Sequence, residues 1–349
     1  MEYHGRYEAF DPNRVTTYPL SERSNKVTLD DLVSPRAARE ESIDLPESVQ
    51  DDIRTVGEAI VAARSADKAV ILFTGAHLIK NGLGPLLVDL VERGAVTLVA
   101  GNAATSIHDF ELALIGETSE NVPAALDKGL FGMACEFAYM NMALAVGNQQ
   151  KLGYGETLGR MICDEPFRRA VLALVACEGS PSEFRHPEVS VLAACYRNRI
   201  PLTVHAGIGT DVTDQHPSFD GQAKGGCSAR DFLIYTHEVT KLTEGGVVLN
   251  IGSAVTGPEV LLKAVSMAAN VGSAPREILS ADFDLRRYAP AHMTDESAQG
   301  YYFRDQKSVV TRIPQAFGGH GLYVGGDQKQ TFPYLYQRIT ETLSSKDGR

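Results

Sequence analysis

The 349-residue sequence lacks the short motifs that most often identify a nucleotide site or a hydrolase. It contains no G-x-G-x-x-G fingerprint and no phosphate loop ending in Gly-Lys-Ser/Thr. It also lacks the G-x-S-x-G nucleophile elbow of serine hydrolases. These absences exclude an assignment from one motif, so function has to be inferred from the arrangement of residues.

C-x-x-C pairs and long apolar runs are absent as well. The five cysteines are scattered and odd in number: Cys135, Cys163, Cys177, Cys195 and Cys227. We therefore predict reduced thiols and a cytoplasmic protein. No charged segment precedes an apolar run near residue 1, and no run approaches the ~18 apolar residues of a membrane helix. Nothing in this pattern indicates export or a membrane span.

Basic residues are fewer than acidic residues, which gives a net charge of −11. A nucleic-acid binder needs a basic face, so this class is excluded. An acidic surface mildly favours cationic ligands such as amines. The apolar fraction of 44% is ample for a globular core.

Residues 69–116 have the pattern of a complete strand–helix–strand unit. Residues 69–74 and 95–100 are continuous apolar runs, typical of buried parallel strands. Between them, apolar residues recur at helical spacing at Leu83, Leu86, Leu87, Leu90 and Val91. We predict a parallel sheet around this unit.

A loop rich in small and hydrogen-bonding residues follows each of these strands. The loops cover residues 74–82 and 101–109. The carboxyl ends of parallel strands form the ligand-binding edge of an open sheet. For any single residue the structural alternative stays open, because Gly and Asn make turns and Ser106 or Asp109 can cap a helix. Two such loops side by side favour a binding site.

Helices and strands alternate along the rest of the chain without a repeat. The predicted helices cover residues 51–66, 122–146, 156–176, 186–198, 229–242, 258–270 and 332–343. The further predicted strands cover residues 200–204, 246–251, 278–284, 308–313 and 321–324. This order predicts an α/β fold with a doubly wound, mostly parallel Rossmann-like sheet and helices on both faces.

The predicted organisation is an N-terminal arm, residues 1–46, followed by a single α/β domain, residues 47–349. The arm has no core of its own, so it is either disordered or packed on the domain or on a neighbouring subunit. Its spaced aromatic residues favour packing: Tyr3, Tyr7, Phe10 and Tyr18. The Met-rich helical segment 122–146 is typical of a core or a subunit interface rather than of a cofactor site.

Loops that open after successive strands would meet along one edge of this sheet. The polar residues expected there are His77, Lys80, Asn102, His108, Asp109, His205, Asp211, Asp214, His216, Ser253, Asp282, Asp284 and Asp327. His205, Asp211, Asp214 and His216 offer possible metal ligands. Their spacing matches no metal-ligand motif, so we predict no metal site.

The order of the elements and several peptides resemble deoxyhypusine synthase, a homotetrameric NAD enzyme of polyamine chemistry. The similar peptides, within residues 55–343, are ILFTGAHLIKNG, LVAGNAATSIHDFE, EVSVLAACYRNRIPLTVHAGIGTD, VVLNIGSAV and VGGDQKQTFPYLYQRIT. The peptide AGNAATSIHDFELALIG also resembles the related domain of archaeal-type NAD-dependent ornithine cyclodeaminases. Both families have one Rossmann-like fold, bind NAD and act on cationic amines or amino acids.

Residue by residue, the resemblance implies an NAD site and an amine site. The implied NAD contacts are Thr74, Gly75, Ala76, His77, Gly101, Asn102, Ala103, Thr105, His108, Asp109, Gly252, Ser253, Asp282, Asp327 and Gln328. Asp211 and Asp214 fall where the synthase has acidic residues lining its amine site.

The imine-forming lysine of the synthase is not matched in this sequence. Its position falls near residues 312–315, and the nearest lysine is Lys307. The two adjacent histidines of the synthase's glycine-rich turn are also missing from residues 252–257. An arginine does not supply an amine of lowered pKa. The sequence therefore predicts an enzyme that is similar to deoxyhypusine synthase but does not have that activity.

Hydride transfer from an amine to nicotinamide needs a base of near-neutral pKa, and histidine suits this role. We predict His108 as the catalytic residue, with His205 or His216 as alternatives. The structural alternative for His108 is a residue near a helix start that hydrogen-bonds to a loop.

Three functional classes stay open. They are a transferase of the deoxyhypusine synthase type, an ornithine-cyclodeaminase-like lyase that regenerates NAD, and a non-catalytic NAD-binding protein. The expected ligand is a small cationic amine or amino acid. From the arm and the resemblance we expect a homo-oligomer, specifically a tetramer, with the arm and the Met-rich segment in the contacts.

Overall fold

The structure is a computed structural model and describes residues 4–177 and 179–347. Its strands are β1 (Asn25–Thr28), β2 (Val70–Thr74), β3 (Leu98–Gly101), β4 (Glu117–Glu120), β5 (Leu202–Val204), β6 (Val247–Ile251), β7 (Leu279–Asp284) and β8 (His320–Gly325).

Fourteen α-helices lie within the described residues. They are α1 (Pro35–Glu40), α2 (Glu47–Ser65), α3 (His77–Lys80), α4 (Gly84–Glu92), α5 (Ala103–Ile115), α6 (Val122–Leu126), α7 (Phe137–Gln149), α8 (Tyr154–Cys163), α9 (Glu165–Leu172), α10 (Val191–Asn198), α11 (Gly221–Val239), α12 (Thr256–Asn270), α13 (Ile313–Phe317) and α14 (Gln328–Asp347). A π-helix, Gln306–Arg312, precedes α13. Short 3₁₀ turns cover Pro12–Arg14, Leu20–Glu22, Leu29–Asp31, Pro187–Val189, Val212–Gln215, Pro290–His292 and Gln299–Tyr302.

Six strands form one sheet in the order β5-β3-β2-β6-β7-β8, and every neighbouring pair is parallel. When only the six strands of this sheet are numbered in chain order, the arrangement is 3-2-1-4-5-6, the order of doubly wound dinucleotide-binding folds. The predicted α/β class and doubly wound sheet are confirmed, and the sheet is parallel throughout. Winding reverses between β2 and β6, which opens a crevice at their carboxyl ends.

The sheet is buried on both faces. Successive β2 side chains point to opposite sides, and all five β2 residues are buried. Val70 and Leu72 contact the apolar cluster that includes α2, α4 and α14. Ile71 and Phe73 contact a second cluster formed with α11, α12 and the π-helix. This explains why β2 appears in the sequence as a continuous apolar run rather than an alternating one.

A layer of helices covers the β5 edge of the sheet. Helices α5, α7, α8 and α9 share a third apolar cluster, in which Met140 of the Met-rich segment is fully buried. A Cβ at Gly155 would lie 1.9 Å from the Leu202 carbonyl oxygen, so glycine lets α8 approach the edge strand. The Asp231 carboxylate accepts a hydrogen bond from the Val204 amide at 2.7 Å. The edge is thereby protected from pairing with another chain.

The N-terminal residues pack on the domain from Tyr18 onward. Strand β1 pairs antiparallel with β4, with Asn25 opposite Glu120. The Tyr18 hydroxyl donates a hydrogen bond to Glu120 Oε1 at 3.1 Å, and Leu20 is buried. Phe10 is exposed, and Tyr3 lies outside the described residues.

The predicted strand at 308–313 is wrong. These residues belong to the π-helix and the start of α13, and β8 is the sixth strand. The β-branched residues of this segment suggested a strand, but it packs across β7 and β8 instead. The Ser280 hydroxyl donates to the Val309 carbonyl at 2.6 Å, and a Cβ at Gly321 would lie 1.9 Å from the Val310 carbonyl oxygen.

Two long predicted helices are each divided. The Met-rich segment separates into α6 and α7, with Gly129 and Gly132 at positive φ between them. The following segment separates into α8 and α9 at Asp164, whose carboxylate caps α9 through the Phe167 amide.

The prediction of reduced thiols is wrong for two cysteines. Cys135 and Cys177 form a disulfide, with their Cα atoms 5.9 Å apart. The residues are 42 positions apart, and the loop after α9 returns to the start of α7. Spacing alone gives no indication of this pairing. Cys163, Cys195 and Cys227 are free thiols.

None of the helices in residues 4–177 and 179–347 has the length and apolar character needed to cross a bilayer.

Candidate functional site

The loops after β2 and β6 meet at the point where the winding reverses. A Cβ at Gly75 would lie 2.2 Å from the Gly252 carbonyl oxygen, so only glycine permits this approach. The Gly75 amide donates to the Ile251 carbonyl at 3.0 Å, and the Thr74 hydroxyl donates to the Gly75 carbonyl at 3.0 Å. Gly252 has φ +65°, which also favours glycine. These contacts form the base of the crevice.

The loop after β3 is tied to the same crevice. Asn102 Oδ1 caps α5 by accepting from the Thr105 amide at 3.0 Å. The Thr105 hydroxyl lies 3.3 Å from the Thr74 carbonyl, to which it donates. Gly101 packs directly against the Thr105 side chain, and Ala103 is buried. The structure thus brings the first and second predicted loops together.

Polar residues from the second half of the sheet complete this edge. Asn250 Nδ2 donates to Asp282 Oδ1 at 2.7 Å and to the Ser253 carbonyl at 2.9 Å. Asn81 Nδ2 donates to Gln328 Oε1 at 3.2 Å. Asp327 is exposed and caps the start of α14, accepting from the Lys329 amide at 2.9 Å.

Three buried atoms at this edge have no hydrogen-bond partner within the described residues: Gln328 Nε2, a donor, and the oxygens Asn250 Oδ1 and Asp282 Oδ2. Unsatisfied buried polar atoms in a native fold call for an explanation, and a ligand is one. A donor and a carboxyl oxygen suit the hydroxyl and amide groups of a dinucleotide. These residues fit such a group.

A cavity of about 570 Å³ lies beside the crevice. Its walls come from α3, α5, β4 and the segment after β5. The lining residues are Arg23, Lys80, Ala104, Ile107, His108, Glu111, Ser119, Glu120, Val122, Phe131, Phe137, Gly209, Thr210, Asp211, Val212, Asp214 and Gln215. This volume suits a small-molecule ligand. The structure thus places His108, Asp211 and Asp214 around one cavity.

His108 is held by a hydrogen-bonded chain that leads to a buried ion pair. Its Nδ1 lies 2.8 Å from the Thr118 hydroxyl, which donates its proton to Glu111 Oε2. Arg23 Nη1 lies 2.6 Å from Glu111 Oε1. Burial alone would raise the pKa of Glu111, but the charge of Arg23, together with His108, outweighs it and lowers the pKa to about 2.

This chain determines which nitrogen of His108 is basic. The ionised Glu111 only accepts hydrogen bonds, so the single proton of the Thr118 hydroxyl points to it. Thr118 must then accept from His108 Nδ1–H, and the lone pair of the neutral ring lies on Nε2. His108 is therefore arranged to take up or release a proton at Nε2.

Asp211 and Asp214 share a buried lysine that the sequence did not suggest. Lys224 of α11 is 1% exposed, and its Nζ hydrogen-bonds to Asp211 Oδ2 at 2.7 Å and to Asp214 Oδ1. Asp214 Oδ2 also accepts from the Gly209 amide at 2.7 Å. Burial raises the pKa of Asp211, although Lys224 opposes the shift. One lysine against two carboxylates leaves this cluster acidic when both are ionised.

Basic side chains lie on helices α3 and α5, away from the acidic cluster. His77 and Lys80 are three residues apart on α3, and α3 packs against α5, which carries His108. Burial lowers the pKa of His77, and the charges of Lys80 and His108 lower it further. His77 is therefore close enough to both Lys80 and His108 to be repelled by them when all are charged.

Three other predicted site residues lie inside the protein. His205 stacks on Phe73 with ring centroids 5.6 Å apart, and burial lowers its pKa to about 4. His216 accepts from the Ser218 amide at 3.1 Å, and burial lowers its pKa to about 4 as well. Asp109 accepts from the Val191 and Leu192 amides at the start of α10. The structure does not bring these residues to the cavity wall.

The residues suggested as metal ligands are not gathered into one site. Within the described ranges, the group with suitable ligand atoms is Asp282, Asp284 and Asp305. Arg286 pairs with Asp284 and Asp305, so a cation from the protein already occupies this group. Burial and the charge of Asp305 raise the pKa of Asp282.

Sequence reasoning did not assign roles to Arg23, Glu111, Thr118 and Lys224. Glu111 had a usable signal, because it lies three residues after His108 on one helix, a spacing that places side chains together. The other three lie on elements distant in sequence from their partners.

No protein-family model matches the chain, and no curated protein matches it. Solved structures resemble it at low identity. AgrE in complex with ornithine and NAD⁺ is 16% identical with a TM-score of 0.47, over 87% of this chain and 35% of AgrE. A candidate LOR/SDH protein from Methanococcus maripaludis S2 is 14% identical with a TM-score of 0.44, over 86% and 72% of the two chains.

A candidate deoxyhypusine synthase from Entamoeba histolytica is 9% identical with a TM-score of 0.35, over 78% of this chain and 75% of that one. The likeness to a deoxyhypusine synthase is present but weaker than the likeness to AgrE. The chain spans about a third of the AgrE length.

Proposed function

We propose that this chain is an NAD-dependent enzyme that acts on a small amine or amino acid. The proposal rests on one juxtaposition. The crevice of an all-parallel 3-2-1-4-5-6 sheet opens beside a cavity lined by His108, whose Nδ1 is engaged by Thr118. Dinucleotides bind at such crevices, and a histidine base beside one suits amine oxidation.

In this proposal the crevice residues hold the cofactor. Residues 74–77, 101–105 and 252–253, whose loops pack closely at Gly75 and Gly101, would line the cofactor, and Gln328 and Asp282 would offer the buried donor and acceptor. NAD would supply a hydride acceptor. His108 would hold and release the substrate proton at Nε2, with Glu111 and Thr118 keeping its Nδ1 protonated.

Asp211 and Asp214 would attract the ammonium group of the substrate. Their cluster with Lys224 remains acidic, and Asp211 is the more exposed of the two carboxylates, with 13% of its side chain accessible against 6%. A negative wall raises the local concentration of cationic ligands.

The reaction type separates the remaining classes. A lyase of the ornithine cyclodeaminase type or a transferase of the deoxyhypusine synthase type would regenerate NAD, whereas a dehydrogenase would release NADH. The imine-forming lysine of the synthase is not matched in the sequence, which favours the lyase over the transferase.

The test incubates the protein and NAD with amino acids and their corresponding amines, and measures the ammonia released and the NADH formed. Ammonia release without net NADH supports the regenerating lyase. Stoichiometric NADH formation indicates a dehydrogenase. Dinucleotide binding without any product from the whole panel would leave a non-catalytic binding protein and overturn the enzymatic proposal.

We also propose a homo-oligomer, specifically a tetramer. The support is a set of exposed apolar side chains before the Met-rich helix α7: Val122, Leu126 and Leu130. Light scattering at micromolar protein tests it, and a monomeric mass would contradict it.

A further inference from the structure

Lys80 is the basic residue of the cavity wall whose charge has no counterpart. Its side chain lines the cavity from α3. Within residues 4–177 and 179–347, its Nζ takes part in neither a hydrogen bond nor an ion pair. A cation held at a cavity without a partner is free to meet an anionic group of a ligand.

Within the described residues, none of the cavity's carboxylates forms an ion pair with Lys80, and each is held by other donors. Glu111 is paired with Arg23, and Glu120 accepts from the Tyr18 hydroxyl at 3.1 Å and from the Gly132 amide at 3.0 Å. Asp211 and Asp214 are paired with Lys224.

The surroundings of Lys80 are basic rather than acidic. His77 lies on the same short helix, and His108 lies on α5, which packs against it. The cavity therefore has one wall with basic side chains and another, after β5, with the acidic cluster. An amine alone satisfies only the second wall.

We propose that Lys80 binds a carboxylate of the substrate, so that the cavity selects an amino acid over the same amine without its carboxyl group. The ammonium–carboxylate contact would be a charge-assisted hydrogen bond. The inference rests on the proposed function and narrows its substrate class.

Matched pairs of ligands that differ only by the carboxyl group provide the test. We would titrate ornithine against putrescine, lysine against cadaverine and arginine against agmatine by calorimetry, with and without NADH. The proteins are the wild type, Lys80→Met, Lys80→Arg and, as a control, Lys128→Met at an exposed lysine outside the cavity.

In the wild type we expect the amino acid of at least one pair to bind about tenfold or more tightly than its amine, as for a hydrogen bond to a charged group. Lys80→Met should remove this preference by weakening the amino acid alone. Lys80→Arg should retain part of it, and Lys128→Met should leave it unchanged. NADH affinity should be similar in all four proteins.

Equal binding within every pair, tighter binding of the amines, or no binding of any of the six compounds would overturn the proposal. A preference that survives Lys80→Met would also overturn it. Absence of NADH binding in the wild type would instead count against the proposed cofactor, since the pairs are also measured without NADH.

Discussion

Two lysines contribute to the cavity region, and their surroundings differ completely. Lys224 is buried, is bonded to Asp211 and Asp214, and lies with its Nζ 5.8 Å from the Phe219 ring centroid. Lys80 lines the cavity and has no such bond among the described residues. A charge enclosed by its partners maintains structure, whereas a charge left open to a cavity is available to a ligand. The same contrast separates the buried His205 and His216 from His108.

The largest expected effect is the loss of the enclosed charge. Lys224→Met leaves two largely buried carboxylates without their cation, which should lower the free energy of unfolding by about 3–5 kcal/mol. Lys80→Met should change it by less than about 0.5 kcal/mol. Urea denaturation of both variants makes the measurement.

If Lys224→Met does not fold, the triple variant that also carries Asp211→Asn and Asp214→Asn should regain stability, because no buried charge remains unpaired. Equal stability losses for Lys80→Met and Lys224→Met would contradict the distinction between the two lysines.

A smaller effect is expected from the acidic wall. Replacing Asp211 or Asp214 by Asn removes one charge and should weaken amine binding about tenfold, the scale of a hydrogen bond to a charged group. NADH affinity should stay nearly unchanged, because neither residue belongs to the crevice. Unaltered binding and turnover of every accepted substrate in both variants would show that the acidic segment is structural.

The smallest effect concerns the enclosed histidines. Burial lowers the pKa of His205 to about 4, below the value of about 6.5 in an unfolded chain. The neutral ring therefore contributes stability above pH ~6.5, and this contribution is lost as the pH falls toward 4. Between pH ~7.5 and ~5.5 the loss should be about 1 kcal/mol for this group.

His205→Phe keeps a ring between Phe73 and Tyr235 and should reduce the acid sensitivity of unfolding by that amount. His237→Phe, at an exposed position, is the control. The same pH dependence in wild type and His205→Phe would show that His205 titrates normally in the folded protein.

The parallel core was predictable from the sequence because its signals are local. The apolar runs of β2 and β3 and the leucine spacing of α4 lie within one continuous segment. The glycine and asparagine residues after these strands then located the crevice, since strand ends of a parallel sheet converge.

Two features of the site were not predictable for identifiable physical reasons. Helix α11 begins at Gly221, eight residues before its predicted start. The predicted start was too late because Gly225 and Gly226, which are poor helix formers, lie in the first part of the helix. Lys224 was consequently not recognised as a helical residue that faces Asp211 and Asp214. Arg23 comes from the N-terminal arm, whose position depends on the pairing of β1 with β4.

The central claim is that the crevice between β2 and β6 binds NAD. The direct measurement is calorimetric titration of NAD and NADH into the wild type, Gln328→Leu and Gln330→Leu. Gln328 carries the unpartnered buried donor, and Gln330 is exposed two residues later on the same helix. We predict one site per chain, weakened several-fold by Gln328→Leu and unaffected by Gln330→Leu. No binding of either nucleotide by the wild type at millimolar concentration would contradict the claim.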